Sequence, residues 1–170
     1  MMWISKLPHS NSRHSSPWWM ALVFAGGVFA LGMGVAGVAF TQTRAKGAKA
    51  LDAYNFPGAS SSTPFWLVWF IIYPCMGVAT WLVWRRRNVV RVQEPLLIFV
   101  VSLVQGFTFW LSQSVRMTQI IDGTGLMLAY TTAWIYSRYS KAAALWLIPW
   151  LLWMPFTFIL KLGWLNRFFH

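Results

Sequence analysis

The sequence has few charged residues and very few acidic ones. Of 170 residues, 14 are Lys or Arg and 3 are Asp or Glu, so 10% are charged, whereas about a quarter of a typical soluble domain is charged. The single cysteine, Cys75, excludes an intrachain disulfide. The net charge of +11 comes from basic residues at the ends of apolar runs, where they contact lipid headgroups and set orientation. A nucleic-acid partner is therefore not predicted.

Side chains that perform chemistry are also scarce inside the apolar runs. All three histidines lie in the terminal tails: His9, His14 and His170. No predicted helix therefore offers an imidazole to a haem iron. All three acidic residues are predicted at loops or helix ends: Asp52, Glu94 and Asp122. Asp122 is interpreted as the N-cap of the fourth helix, and the lack of an intramembrane carboxylate argues against a proton antiporter.

Recognisable catalytic and cofactor motifs are absent as well. The sequence contains no Ser–His–Asp set, no metal-ligand cluster and no phosphate-binding loop. No catalytic residue, no metal and no obligatory cofactor is predicted.

Long uncharged runs dominate the chain. Five such runs each contain an apolar stretch of roughly 17–24 residues, close to the ~20 that a helix needs to cross a bilayer. The alternation typical of barrel strands is absent. The predicted fold is an all-α integral membrane protein, a single bundle of five transmembrane helices. The predicted segments are a polar tail at 1–16, helices at about 17–41, 64–84, 95–114, 123–139 and 142–165, and a long first loop at 42–63, with 17–170 forming one domain.

The distribution of basic residues predicts an orientation. Eight of the 14 Lys and Arg residues fall on the side of the N-terminus and six on the other side. The positive-inside rule then predicts a multi-pass protein with a cytoplasmic N-terminus.

Aromatic and polar side chains recur at helical spacing in three of the predicted helices. One stripe of the second helix contains Trp66, Trp69, Tyr73, Gly77, Thr80 and Trp84. A face of the third contains Ser102, Gln105, Gly106, Phe109, Ser112 and Gln113. A face of the fifth contains Trp146, Pro149, Trp153, Phe156 and Leu160, with Thr157 beside it. Turned inward, these faces form an aromatic pocket with a few polar groups, which suits a flat apolar ligand.

Packing alone is the alternative explanation for these rings. Tryptophans at helix ends commonly form interfacial belts, and four are interpreted in that way: Trp18, Trp19, Trp84 and Trp164. Trp69, Tyr73 and Trp153 lie deeper in the predicted spans, so a belt explains them less well. Small residues at spacing four, at Ser102 and Gly106 and along the first helix, predict close helix packing or a homodimer face.

Two segments resemble the translocator protein family, also called TspO/MBR or tryptophan-rich sensory proteins. Residues 68–84, VWFIIYPCMGVATWLVW, are similar to the family's second-helix pattern V-W-x-x-L-Y-x-x-M-G-x-x-x-x-L-V-W. Residues 140–162, SKAAALWLIPWLLWMPFTFILKL, resemble the fifth-helix pattern L-x-P-Y-x-x-W-x-x-F-A-x-x-L-N, with Thr157 and Lys161 at the Ala and Asn positions. The likeness extends over about 18–168.

The resemblance implies a membrane protein that binds porphyrins or haem-type tetrapyrroles, or a sterol-like small molecule, and acts as a sensor or carrier, often as a homodimer. It places the site at Trp69, Tyr73, Trp153, Phe156, Thr157 and Leu160. The helical faces described above add Trp66, Gln105 and Phe109. The predicted ligand-binding set is therefore Trp66, Trp69, Tyr73, Gln105, Phe109, Trp153, Phe156, Thr157 and Leu160. The alternatives are a structural or assembly protein without a pocket, and a porphyrin-degrading enzyme in which Trp69 and Trp153 take part.

Overall fold

The computed structural model describes residues 17–45, 65–87, 91–111 and 115–161. These residues form six α-helices and one 3-10 turn, and they contain no strand. The helices are α1 (Trp19–Ala45), α2 (Trp69–Trp84), α3 (Gln93–Leu111), α4 (Val115–Tyr139), α5 (Lys141–Trp146) and α6 (Ile148–Lys161), and the 3-10 turn (Phe65–Val68) leads into α2. The all-helical class predicted from the sequence is confirmed.

The membrane-spanning capacity of the helices is uneven. Among the described helices, one is long and apolar enough by itself to cross a membrane, at Trp19–Val38, with a mean hydropathy of 2.1. Three shorter apolar stretches follow, at Trp69–Trp84, Gln93–Thr108 and Ile148–Ile159. With the 3-10 turn that precedes it, α2 reaches about 32 Å at the usual rises of ~1.5 and ~2.0 Å per residue. The prediction of five spans therefore stays a prediction.

The start of α4 corrects the sequence prediction. Residues 115–122 were expected to form a turn with Asp122 as the helix N-cap, but α4 begins at Val115. Asp122 is the eighth residue of that helix and is only 4% exposed. Polar residues in this segment favoured a turn, yet neither Gly nor Pro occurs between 115 and 122 to interrupt the helical backbone. The expectation that no acidic residue is buried in the middle of a helix is therefore wrong.

The predicted fifth helix is divided in two at Leu147. Ser140 caps α5, because its side chain accepts a hydrogen bond from the backbone N–H of Ala143 at 3.3 Å. Pro149 lacks an N–H and cannot bond to the carbonyl of Leu145, so the chain tightens and the Leu147 N–H donates to Ala144 at 3.1 Å. Helix α6 then restarts at Ile148, with proline in its first turn.

The helices pack in a closed ring. Helix α1 contacts α2 and α3, α3 contacts α4, and α4 contacts α5 and α6, which in turn contact α2. The largest fully buried side chains include Ile72, Tyr136 and Leu147. Large apolar side chains are also exposed around the outside, including Leu22, Leu97 and Leu152. An apolar exterior of this extent is what lipid contact requires.

Buried hydroxyl groups connect the helices inside the ring. Thr80 of α2 donates to the Met76 carbonyl at 2.8 Å, and its oxygen lies 3.1 Å from the hydroxyl of Tyr136 in α4. The Ser102 and Thr132 hydroxyls join α3 to α4 at 3.0 Å. Polar side chains in an apolar interior are normally paired in this way.

Arginines stack on tryptophans at one end of the ring. The guanidinium carbons of Arg85 and Arg87 lie 4.9 and 4.8 Å from the ring centroids of Trp81 and Trp84. Arg138 lies 3.6 Å from the ring centroid of Trp134. Tryptophan beside a cation is typical of the interface between lipid tails and headgroups.

Candidate ligand site between four helices

A cavity lies inside the ring of helices, and α2, α3, α4 and α6 all contribute to its lining. Its volume is about 20 Å³, which is room for about one water molecule. Sites for organic ligands usually occupy about 300–1,000 Å³. The structure therefore shows a closed site, and any larger ligand requires the helices to separate.

Helix α2 supplies an aromatic wall. Trp69 and Tyr73 are one helical turn apart, both are buried, and both line the cavity together with Met76. Their ring centroids are 5.0 Å apart with an angle of 32° between the planes. Both residues were predicted from the sequence, and the stripe to which they belong is the buried face of α2.

Gly32 of α1 makes room for the Tyr73 ring. A Cβ at position 32 would overlap the ring, and Tyr73 is only 2% exposed, so the ring has little free space around it. Helix α1 does not line the cavity, yet it holds one of the cavity's aromatic side chains in place.

Gly32→Ala is expected to destabilise the protein through this contact. Overpacking of a filled interior costs roughly 1–3 kcal/mol, and a ring can yield in part, so we expect about 1–2 kcal/mol. In a Tyr73→Ala background the cost should vanish, because the ring has gone. Thermal unfolding in detergent of the single and double variants gives the coupling energy.

Gly34→Ala is the matched control for that cycle, because a Cβ at Gly34 has nothing within 4 Å. It should leave the midpoint unchanged or raise it slightly, because alanine is favoured over glycine inside a helix. Equal costs of Gly32→Ala with and without the Tyr73 ring would contradict the contact.

Helix α3 supplies a polar wall that α4 holds in place. The amide nitrogen of Gln105 donates towards two acceptors in α4, the Ile121 carbonyl and the Thr124 hydroxyl, the latter at 3.4 Å. A Cβ at Gly125 would lie 2.9 Å from the Gln105 Nε2, so the amide packs closely against that glycine. Ser102 and Gly106 line the cavity on the same helix. Gln105 was predicted, and its placement follows from these bonds.

Asp122 brings a carboxylate to the cavity from α4. It lines the cavity and is 4% exposed, and its helix packs against both α3 and α6. Sequence reasoning missed it because the start of α4 was placed eight residues too late.

The wall formed by α6 differs from the prediction. Trp150, Met154 and Thr157 line the cavity at spacings of four and three residues, and all three are buried. The predicted pair lies outside the lining: Trp153 is partly buried, and Phe156 is 44% exposed. The Trp153 and Phe156 rings contact each other, with centroids 5.3 Å apart. The side of α6 that lines the cavity is therefore displaced by one residue from the predicted side. Thr157 is the residue that both the prediction and the structure place at the site.

Four of the nine predicted site residues thus come together in one cavity: Trp69, Tyr73, Gln105 and Thr157. Three others have side chains outside the described part of the structure: Trp66, Phe109 and Leu160. The other seven lining residues were not in the predicted set, although two of them, Ser102 and Gly106, were on the predicted polar face of the third helix; the remaining five are Met76, Leu103, Asp122, Trp150 and Met154. The i, i+4, i+7 spacing of positions 150, 154 and 157 was available in the sequence. Among the residues described, no group of His, Cys, Asp and Glu side chains is arranged to hold a metal ion.

The fold and the cavity define a class: helical proteins with an apolar exterior and an internal site between helices. The chain belongs to the TspO/MBR family, whose model matches residues 24–166. It is therefore a membrane protein of that family, as its second and fifth predicted helices indicated. No curated protein gives a significant individual match to the sequence.

Proposed function

We propose that the protein spans the membrane five times and binds porphyrins, haem-type tetrapyrroles or other flat apolar ligands between α2, α3, α4 and α6, acting as a sensor or carrier. The main support is the cavity, where aromatic rings of α2 and α6 face polar side chains of α3 and α4. Rings from two helices offer stacking surfaces, and a few polar groups orient the ligand. Family membership supports the same assignment.

The closed cavity means that binding is coupled to movement of the helices. Two features of the backbone favour such movement near the site. Pro74 and Pro155 lie inside α2 and α6, where each removes one backbone hydrogen bond. Helix α6 is also separated from α5 at Leu147. The ligand would then select an opened arrangement over the closed one described here.

Protoporphyrin is expected to quench the tryptophan fluorescence of the purified protein saturably, because Trp69 and Trp150 line the cavity. The measurement is a titration in detergent or nanodiscs, and we expect an apparent Kd of about 1 μM or below, which corresponds to about −8 kcal/mol or stronger.

Trp84→Leu is the control variant, because Trp84 lies at the end of α2 under Arg87 and outside the cavity lining. It should lower the starting fluorescence and leave the Kd unchanged. Quenching that increases linearly with protoporphyrin concentration, without saturation, would contradict the proposed function.

A further inference from the structure

The cavity must widen to hold an organic ligand, and the boundaries between the surrounding helices are not equally strong. Of the helix pairs that close the ring, α2 and α6 have the least extensive contact among the described residues. They are also the two described helices that contain a proline beyond the first turn, Pro74 and Pro155. A proline at such a position removes a backbone hydrogen bond and favours bending. By both criteria the boundary between α2 and α6 opens most readily.

The other boundaries have closer contacts. The amide nitrogen of Gln105 in α3 donates towards the Ile121 carbonyl of α4. Between α4 and α6, a Cβ on Gly125 would lie 2.7 Å from the Met154 Cε, so the glycine allows the two helices to approach closely. Between α1 and α2, Gly77 packs against the backbone of α1. Opening the ring at these places breaks a hydrogen bond or separates a close contact at a glycine.

One side of α6 faces α4. Thr157 lines the cavity, and Phe158 is the next residue, about 100° further around the helix. The Phe158 ring lies 3.4 Å from the position that a Cβ on Gly123 of α4 would take. The side of α6 that lies one residue after the cavity-lining positions therefore packs against α4.

The other side of α6 faces α2 and carries two aromatic rings. Trp153 and Phe156 each precede a cavity-lining residue by one position, so they lie about 100° around the helix in the opposite direction. Because α6 contacts α2 as well as α4, this side meets α2. Trp153 is partly buried and Phe156 is exposed, and their ring centroids are 5.3 Å apart. The ring pair therefore reaches from the interior to the outer surface of the protein.

Helix α2 presents apolar side chains to the same boundary. Gly77, which packs against α1, follows the cavity-lining Met76 by one residue. Ile72 and Cys75 instead precede the lining residues Tyr73 and Met76 by one position, so they lie on the side of α2 away from α1. Ile72 is fully buried and Cys75 is partly buried, and an unpaired cysteine packs as a small hydrophobic residue.

We infer that the ligand enters the cavity sideways from the bilayer, between α2 and α6. The entry seam is the set of four side chains at this boundary: Ile72, Cys75, Trp153 and Phe156. Lipid tails or a flat apolar ligand replace the dispersion contacts that these side chains lose when the helices separate. This inference rests on the proposed function, and it adds the class of ligand: a molecule dissolved in the membrane rather than in water.

Distances between spin labels in nanodiscs show which boundary widens. Ile71, Met127 and Leu152 are exposed positions on α2, α4 and α6, and Cys75→Ala removes the native thiol. Labels on Ile71→Cys and Leu152→Cys span the entry seam. Saturating protoporphyrin should lengthen their distance by several ångströms, because the closed cavity of about 20 Å³ has room for about one water molecule. Labels on Met127→Cys and Leu152→Cys span the boundary between α4 and α6 and should keep their distance.

Phe156→Ala tests the entrance by kinetics. Removing a ring from an entrance lowers the barrier in both directions, so the association and dissociation rate constants of protoporphyrin should each rise at least about fivefold while the Kd changes less than about threefold. Stopped-flow quenching of tryptophan fluorescence measures both rates. Phe158→Ala is the matched control, because it removes the same ring from the same helix on the side of α4. It should change both rate constants by less than about twofold.

The outcomes separate this inference from the proposed function. If protoporphyrin does not quench the fluorescence saturably, the proposed function fails. If it does, but the labels across the entry seam keep their distance, the site stands and entry between α2 and α6 is wrong. Unaltered rates in Phe156→Ala, or a larger acceleration in Phe158→Ala, also contradict the inference. If Phe156→Ala does not fold, the label distances decide, because their three positions are exposed.

Discussion

Trp150→Leu is expected to weaken porphyrin binding at least about tenfold. Trp150 is 4% exposed and lines the cavity on α6. Leucine preserves an apolar helix but loses a stacking surface worth about 1 kcal/mol per ring pair beyond area burial, together with part of the buried area itself. A tenfold change corresponds to about 1.4 kcal/mol. Titration of the purified variant with protoporphyrin, after its helical content has been verified by circular dichroism, gives the result.

Trp153→Leu is the matched substitution, because it removes the same ring from the same helix outside the cavity lining. Trp153 contacts Phe156 at 5.3 Å between centroids, so its loss should change the affinity less than about threefold. The opposite ranking of the two variants would show that α6 presents the face carrying Trp153 to the ligand. That face is the one to which the family resemblance points.

The aromatic wall of α2 was predictable from spacing alone. Trp69 and Tyr73 are four residues apart and lie deep in an uncharged run, and the same stripe contains the small residue Gly77, which allows close contact with another helix. Only one face of α2 combines these features, so the periodicity identified the buried side correctly.

The face of α6 was not predictable in the same way. Tryptophans occupy both 150 and 153. The spacing of aromatic residues then fits two neighbouring sides of the helix and does not say which one is buried. The buried side of α6 is the side that packs against α2 and α4, and these contacts are tertiary interactions.

Asp122 shows a different limit of local reasoning. An acidic residue after a polar segment is a common helix start, and the sequence around Asp122 fits that pattern. Residues 115–121 extend the helix instead, and the longer helix carries Asp122 into the interior beside the wall of α3. Asp122, the acidic side chain among the described residues that line the cavity, was therefore placed by the length of α4, which local composition did not determine.

Gly77→Ala is expected to produce the largest loss of stability among the glycine substitutions. A Cβ at position 77 would lie 2.5 Å from the Phe24 carbonyl oxygen and from the Ala25 Cα. Both are backbone atoms of α1, so no side chain can rotate away and the two helices must move apart. We expect a loss of about 2–3 kcal/mol, which lowers the midpoint of thermal unfolding by at least about 4 °C for a chain of this length.

Gly26→Ala provides the comparison on the facing helix. A Cβ at Gly26 has nothing within 4 Å, so the substitution should not lower the midpoint and should raise it by up to about 4 °C, because alanine is favoured over glycine inside a helix. The closeness of α1 and α2 at Gly77 also supports the aromatic wall, because the Tyr73 ring lies one turn away on α2 and is enclosed by Gly32 of α1. Gly77→Ala should therefore weaken protoporphyrin binding as well as stability, although position 77 does not line the cavity. Unchanged stability in Gly77→Ala would mean that α1 does not approach α2 as closely as described, and unchanged binding with reduced stability would mean that the cavity keeps its shape when α1 moves.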